Sequence, residues 1–177
     1  MKKILLMAAF AVASLTANAQ VWVGGSLGFD YEKYKDMDAK TKFSIAPTIG
    51  YNLSEDFAIG LELSFAFGNE GVSALYTNSK TQDIMFAPFA RYTFARVGAA
   101  SFFVDGGFGF GSEKIGDNDA DNAWHIGFRP GVSFNISDHV SFVGTVGYLG
   151  YRHAEDYNHF GLNANNQLGS VGFFYTF

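Results

Sequence analysis

Four charged residues alternate in sign along the chain and could form an ion-pair network. They are Glu62, Arg91, Asp105 and Arg129. Each lies in a segment where bulky apolar residues occupy alternate positions, so we expect all four charges on the opposite face of four successive strands. Neighbouring strands lie about 4.8 Å apart, which lets each arginine reach a carboxylate on either side. Such a network can act as a salt-bridged plug or as a gate that selects ions.

Two polar segments contain residue types that bind metal ions. The stretch His153–His159 carries imidazole and carboxylate groups, but no cysteine or helical spacing supports a transition-metal site. Segment 117–121 spaces three aspartates as at the start of a calcium loop. Asn122 then stands where that loop needs glycine, and Phe128 stands where it needs a bidentate glutamate. We interpret both segments as solvated loops and expect no metal and no cofactor.

The elements that must position these residues are strands. Eight segments alternate bulky apolar residues with small or polar ones, a pattern that predicts β-strands with two different faces. The clearest runs from Phe57 to Phe67, with Glu62 among the small residues of its second face. The eight segments are Val21–Phe29, Phe43–Tyr51, Phe57–Phe67, Ile84–Phe94, Phe102–Phe110, Trp124–Phe134, Val140–Tyr148 and Val171–Phe177.

The connections between these strands alternate in length. Long polar segments cover residues 31–42, 68–83, 112–123 and 152–166, and short ones lie near 54–56, 96–100 and 137–139. This pattern predicts an all-β fold, an eight-stranded antiparallel up-and-down transmembrane β-barrel. Long loops would then face the outside, and short turns and both chain termini the periplasm.

The two strand faces favour a membrane barrel over a soluble one. The polar face is rich in glycine, alanine and serine and nearly free of lysine, which suits a narrow lumen better than a solvated surface. Aromatic residues lie at strand ends on the apolar face, as interfacial girdles require. Because eight strands leave an interior just wide enough for side chains, the plug is favoured over the gate.

The first residues predict export. Lys2 and Lys3 precede an apolar run from Ile4 to Leu15, and a small-residue site follows, so we expect signal-peptide cleavage between Ala19 and Gln20. Residues 1–19 would be removed, and residues 20–177 would form one barrel domain. No cysteine is present for a disulfide or a lipid anchor. Without Lys2 and Lys3, 10 basic residues face 17 acidic ones, a formal charge of −7 that argues against nucleic-acid binding.

The last strand carries the most specific motif. Ser170, Gly172, Tyr175 and Phe177 are spaced like the C-terminal recognition signal of outer-membrane barrels. With the segment Pro47–Tyr51, they make the chain resemble the small outer-membrane β-barrel family that includes the OmpA membrane domain and OmpX. The resemblance implies a monomer in the cell outer membrane that contacts outer-membrane lipid and lipopolysaccharide. It also implies assembly by the barrel assembly machinery through the last strand.

This resemblance has two limits that bear on function. The chain departs from full-length OmpA by ending at the last strand, so we expect no peptidoglycan-binding domain. His139 and Ser141 are similar to the His-x-Ser pair of outer-membrane lipid A deacylases, in which the histidine must lie beside the serine. The predicted topology places His139 in a periplasmic turn, whereas that class of enzyme acts in the outer leaflet. We therefore interpret His139 as a polar turn residue and expect no catalytic residue.

Two further expectations concern the prolines and the loops. Pro47, Pro88 and Pro130 lack an N–H donor inside predicted strands, so we expect local bulges there. The loops carry aromatic and apolar residues among polar ones, a composition suited to recognition of a surface or host ligand. These residues are Tyr31, Tyr34, Leu75, Tyr76, Tyr151, Tyr157 and Phe160. The expected function is a non-enzymatic barrel with a structural or surface role; the alternatives are a lipid A-modifying enzyme and a narrow ion-conducting pore.

Overall fold

Alternation along each segment produces antiparallel strands that close into an eight-stranded barrel in the computed structural model. The structure describes residues 20–32, 40–70, 79–115, 121–154, 157–163 and 170–177. Its strands are β1 Val21–Glu32, β2 Lys40–Asn52, β3 Phe57–Glu70, β4 Ser79–Val97, β5 Ala100–Ile115, β6 Asp121–Asn135, β7 Val140–Thr145, β8 Tyr148–Ala154, β9 Tyr157–Asn163 and β10 Val171–Thr176. Within these ranges no helix is long and apolar enough to span a membrane.

Ten strand segments make eight barrel strands because two of them are interrupted. β7 and β8 both pair with β6 and together form the seventh strand. β9 pairs with β8, and β10 pairs with β7, so these two form the eighth. β10 also pairs with β1 and closes the barrel. The predicted fold class is confirmed, but residues 157–163, predicted as loop, belong to β9.

Two of the three short connections are the same turn. Leu53 and Ile136 each donate their backbone N–H to the carbonyl four residues later, at distances of 2.8 Å. Ser54 Oγ accepts the N–H of Phe57, and Ser137 Oγ accepts the N–H of Val140, each at 3.1 Å. Serine is a common turn residue because its hydroxyl can satisfy such backbone donors. The short connections thus fall where the sequence predicts them.

The expected bulges are absent at two of the prolines. The β2–β3 ladder is interrupted at Pro47 and the β4–β5 ladder at Pro88, but the register is unchanged on either side of each gap. The bulge prediction is wrong at these positions, because a missing N–H removes a hydrogen bond without requiring an extra residue. Each proline still pairs with its other neighbour, Pro47 with β1 and Pro88 with β3.

A bulge does occur opposite Pro130. Gly131 pairs with Thr145 and Phe128 pairs with Leu149, so the three residues 146–148 face only two residues, 129 and 130, on β6. Val146 donates its N–H to the Pro130 carbonyl at 2.9 Å, and Gly147 has a φ of +67°. Glycine adopts this conformation without steric cost. The extra residue exchanges the two faces of the strand beyond it.

This exchange of faces corrects one prediction. Alternation from Val140 predicts Tyr148 on the apolar outer face, with Phe142 and Val146. The bulge turns Tyr148 inward, where its ring meets His125 edge-on with centroids 5.6 Å apart. Leu149 is exposed on the outer face instead.

The remaining outer face is apolar and exposed along every barrel strand, as the alternation predicts. Its exposed members include Leu27, Phe29, Phe43, Ile45, Phe57, Ile59, Leu63, Phe67, Ile84, Tyr92, Phe102, Phe108, Phe110, Trp124, Ile126, Phe128, Phe134, Phe160, Val171 and Phe173. The core instead lies in the lumen, where Trp22, Phe89, Phe103, Val143 and Phe174 form one buried cluster.

Candidate functional site

The lumen contains an ion pair that is joined by two hydrogen bonds. Arg91 on β4 lies directly opposite Asp105 on β5. Arg91 Nε donates to Asp105 Oδ1 at 2.7 Å, and Nη2 donates to Oδ2 at 2.9 Å. This bidentate geometry matches the guanidinium fork to the carboxylate and is the strongest form of such a pair.

A second ion pair crosses the lumen beside the first. Arg129 on β6 donates from Nη1 and Nη2 to the two carboxylate oxygens of Glu62 on β3, each at 3.2 Å. Arg129 Nη2 also lies 3.9 Å from Asp105 Oδ2. The structure therefore brings all four charges together as one group, which we call the inner network: Glu62, Arg91, Asp105 and Arg129.

One detail of the inner network differs from the expectation. Because β3 and β4 are neighbours, the sequence predicts that Arg91 can also pair with Glu62 on β3. The register places Ala58 opposite Arg91 and Ala87 opposite Glu62, so the two charges lie four residues apart along their strands. Glu62 pairs across the lumen with Arg129 instead, because side chains from both walls meet in a narrow barrel.

Aromatic rings surround the Arg91 guanidinium. Its central carbon lies 3.7 Å from the ring centroid of Phe103, 5.5 Å from that of Trp22 and 5.6 Å from that of Phe89. Ring faces attract a cation, and they do so more strongly where water is excluded. The arginine is thus held by its carboxylate on one side and by rings on the others.

The lumenal rings fit because each faces a glycine on the next strand. A Cβ atom at any of these glycines would overlap the opposing ring. The directly paired residues are Trp22 and Gly50, Phe89 and Gly60, Phe103 and Gly131, Phe174 and Gly24, and His125 and Gly109. Sequence reasoning noted these glycines as small inward residues but missed Trp22, Phe89 and Phe103. A glycine paired across strands with an aromatic of the same face is the signal that would have found them.

A second charged layer lies toward the long loops. Lys42 on β2 pairs with Asp83 on β4, and Arg152 on β8 pairs with Glu113 on β5. Asp83 and Glu113 are themselves directly opposite on neighbouring strands. We call these four residues the rim network. The sequence predicts these four residues in the long connections. In the structure the strands are longer than predicted, so the four side chains lie on the lumenal face of the strand ends.

Beside the inner network lies a small chamber of about 60 Å³. Glu62, His125, Arg129 and Tyr148 contribute to its lining. Its volume suffices for a few water molecules at most. The buried hydroxyl of Tyr148 has no hydrogen-bond partner among the described residues.

Among the described residues, no hydrogen bond joins the candidate catalytic residues His139 and Ser141. His139 Nδ1 lies 2.8 Å from the Thr176 carbonyl, and its ring stacks on Tyr175 with centroids 5.6 Å apart. Ser141 lies in β7, directly opposite Phe174. No group of three or more metal-binding side chains occurs among the residues that the structure describes. Positions 117–120, 155 and 156 of the two candidate metal segments lie outside those residues.

The C-terminal motif forms the seam where the barrel closes. Phe177 donates its N–H to the Val21 carbonyl at 3.0 Å, and the rings of Tyr175 and Phe177 meet edge-on. Gly172 lies against Ser26, where a Cβ atom would meet the β1 backbone. Ser170 Oγ lies 2.9 Å from Thr145 Oγ1.

The predicted cleavage site falls at the edge of the described range. Ala19 lies outside the described residues. Gln20 is described, and its side chain accepts a hydrogen bond from the Tyr51 hydroxyl.

The sequence matches the family described as outer membrane protein beta-barrel domain over residues 4–177. The chain belongs to this family. Membership in this family indicates that the protein resides in the outer membrane. A search of curated proteins finds no match.

Solved structures that resemble the barrel include Neisserial surface protein A and OprG. Neisserial surface protein A (NspA) aligns with a TM-score of 0.55 and 17% identity over 89% of this chain and 97% of its own. The outer membrane protein OprG from Pseudomonas aeruginosa aligns with a TM-score of 0.53 and 13% identity over 89% of this chain and 94% of its own. At these identities the likeness shows the fold alone.

Proposed function

We propose that this outer-membrane barrel is a non-enzymatic protein with a closed lumen, which presents its long loops for contact at the cell surface. The observation that carries the proposal is the filling of the lumen. The Arg91–Asp105 pair lies among Trp22, Phe89 and Phe103, and the inner network spans from β3 to β6. An ion would have to break buried pairs or displace rings to pass.

The energetics support a plug over a gate. Removing one partner of a buried pair costs about 3–5 kcal/mol, because the other charge is left without compensation. Asp105 accepts two hydrogen bonds from Arg91 and has a second arginine nearby, so opening this barrier would expose a buried carboxylate. The chamber beside it has a volume of only about 60 Å³.

Conductance in planar bilayers tests the closed lumen. We expect the purified barrel to give no discrete conductance steps, while a known channel barrel reconstituted in the same bilayers gives them. The alternative of a narrow pore predicts steps with an ion preference that Arg91→Ala abolishes, and that result would overturn the proposal.

The enzymatic alternative has a separate test. His139 is engaged by the carbonyl and ring of the last strand, which supports a structural role for this histidine. We expect the lipid A mass spectrum of cells overexpressing the protein to equal that of cells with an empty vector. A shift in lipid A mass that His139→Ala removes would instead establish an enzyme.

The loops supply the proposed contact surface. Tyr151 and Phe160, predicted in a loop, instead pair with each other on β8 and β9, and Phe160 is 77% exposed on the outer face of the barrel. Tyr34, Leu75 and Tyr76 lie outside the described residues, and only the backbone of Tyr31 and Tyr157 is described. Whole-cell binding to surface or host ligands, compared between wild type and variants with shortened loops, tests this role. Unchanged binding after all four loops are shortened would contradict it.

A further inference from the structure

Tyr148 brings a hydroxyl group into the lumen at the position where β7 and β8 meet. Its side chain points inward because the bulge of residues 146–148 exchanges the two faces of the strand. Without the extra residue, alternation from Val140 would place this side chain on the outer face. The bulge therefore brings one polar side chain into the lumen and places Leu149 outside.

Two glycines leave room for the Tyr148 hydroxyl. A Cβ atom at Gly127 on β6 would lie 2.6 Å from the hydroxyl oxygen, and one at Gly150 on β8 would lie 2.5 Å from it. Both distances are too short for real atoms. Gly127 and Gly150 are directly opposite each other on neighbouring strands. The hydroxyl thus lies over the backbone of both strands, where a larger residue than glycine would displace it.

This hydroxyl is buried but has no hydrogen-bond partner among the described residues. A buried hydroxyl without a partner destabilises the folded state, whereas the ring of a phenylalanine would fill the same space without that cost. The position therefore calls for a polar partner that can enter the lumen.

The chamber beside the inner network offers space and polar groups for such a partner. Tyr148 lines it together with Glu62, Asp105, His125 and Arg129. Its volume is about 60 Å³, and a water molecule takes up about 30 Å³ in the liquid. A buried water typically makes about three hydrogen bonds, which these polar side chains can supply.

We propose that the chamber binds ordered water that joins the Tyr148 hydroxyl to the Glu62 carboxylate. Tyr148 donates its O–H to the water, and the water donates to Glu62, whose oxygens accept Arg129 at 3.2 Å. Each carboxylate oxygen has two lone pairs, so the added bond leaves both bonds from Arg129 in place. Water fits better than an ion, because the lining contains one guanidinium and two carboxylates and any ion would meet a like charge. Tyr148 is thus a positioning residue for the inner network.

This inference rests on the closed lumen proposed above, because a conducting lumen would fill the chamber with exchanging water and ions. The two proposals fail in different experiments. Conductance steps from the wild type would contradict the closed lumen, whereas the water site is tested by the stability of variants. A chamber without ordered water would still leave the lumen closed by its rings and ion pairs.

Tyr148→Phe tests the proposal because it removes the hydroxyl alone. Urea unfolding of the mature barrel in lipid vesicles measures its effect. If water bridges the hydroxyl, the variant loses a hydrogen bond, and its unfolding equilibrium constant should rise about fivefold. If no water binds, the variant loses an unsatisfied hydroxyl and should be as stable as the wild type or more stable, which would overturn the proposal. Tyr92→Phe is the matched control, because Tyr92 is 43% exposed on the outer face, and it should leave the constant unchanged.

A double-mutant cycle with Glu62→Gln tests the bridge itself. Glutamine keeps the size of this side chain but is a weaker acceptor without charge. Tyr148→Phe should therefore raise the unfolding constant less in the Glu62→Gln background than in the wild type, by about twofold. Fully additive effects would show that the hydroxyl and Glu62 are not joined and would overturn the bridge.

Two further measurements identify the bound species as water. A crystal structure of the mature barrel should show a water oxygen within about 3.2 Å of both the Tyr148 hydroxyl and Glu62, and the Tyr148→Phe variant should lose it. Exchange of NaCl for a salt of large organic ions should leave the effect of Tyr148→Phe unchanged. An effect that requires the small ions would make the chamber an ion site and would overturn the proposal.

Discussion

The inner network and the rim network contain the same kinds of charges in different surroundings. In the inner network the side chains of Arg91 and Asp105 are 15% and 3% exposed, whereas in the rim network the cations Lys42 and Arg152 are each 43% exposed and their carboxylates are 11% and 18% exposed. A buried pair loses hydration on both sides, and only the pairing replaces it, whereas the half-exposed cations of the rim network keep much of their contact with water. This difference in exposure shows that alternating charge alone does not define a plug. Rings that exclude water around the charges are also required.

The largest effect is expected when one side of the buried pair is removed. Arg91→Ala leaves Asp105 without its bidentate partner and should lower the free energy of unfolding by about 3–5 kcal/mol. Urea unfolding in lipid vesicles, followed by tryptophan fluorescence, measures the change. The double variant Arg91→Ala with Asp105→Ala is the control, and it should recover part of the loss. A single variant as stable as wild type would remove the distinction between the two networks.

A smaller effect is expected where glycine makes room for a ring. Gly50→Ala places a methyl group against Trp22 and should cost about 1–3 kcal/mol through overpacking. Gly144→Ala is a matched control, because its Cβ would meet no atom within 4 Å. The same unfolding assay compares the two variants. Equal stability of both would show that the lumenal rings can shift freely.

The smallest effect is expected at the rim network. Arg152→Gln removes the cationic partner of Glu113, but Arg152 is itself 43% exposed at the loop end, so the loss should be about 1 kcal/mol, smaller than that of Arg91→Ala. Because partly exposed pairs are screened by salt, the loss should shrink at 1 M NaCl, where the Debye length is about 3 Å. Unfolding curves at low and high salt measure this. A salt-independent loss as large as that of Arg91→Ala would contradict the comparison.

The sequence predicted much of the barrel because its determinants are local. Alternation from Phe57 to Phe67 defines a two-faced strand without reference to any other segment. The repeated serine turns after Pro47 and Pro130 likewise depend on a few consecutive residues. Strand ends were less predictable: residues 157–163 and the rim network continue into polar segments, where the contrast between the two faces is weak.

The period of the strands, their number and the apolar outer face follow from side-chain alternation and can be predicted without the structure. Which lumenal groups meet depends on how the closed barrel aligns its strands. Glu62 pairs with Arg129 because closure brings β3 and β6 within reach across the lumen. Tyr148 faces inward because one extra residue opposite Pro130 exchanges the faces of its strand. Both results depend on how distant segments align, and alternation within one segment carries no information about that alignment.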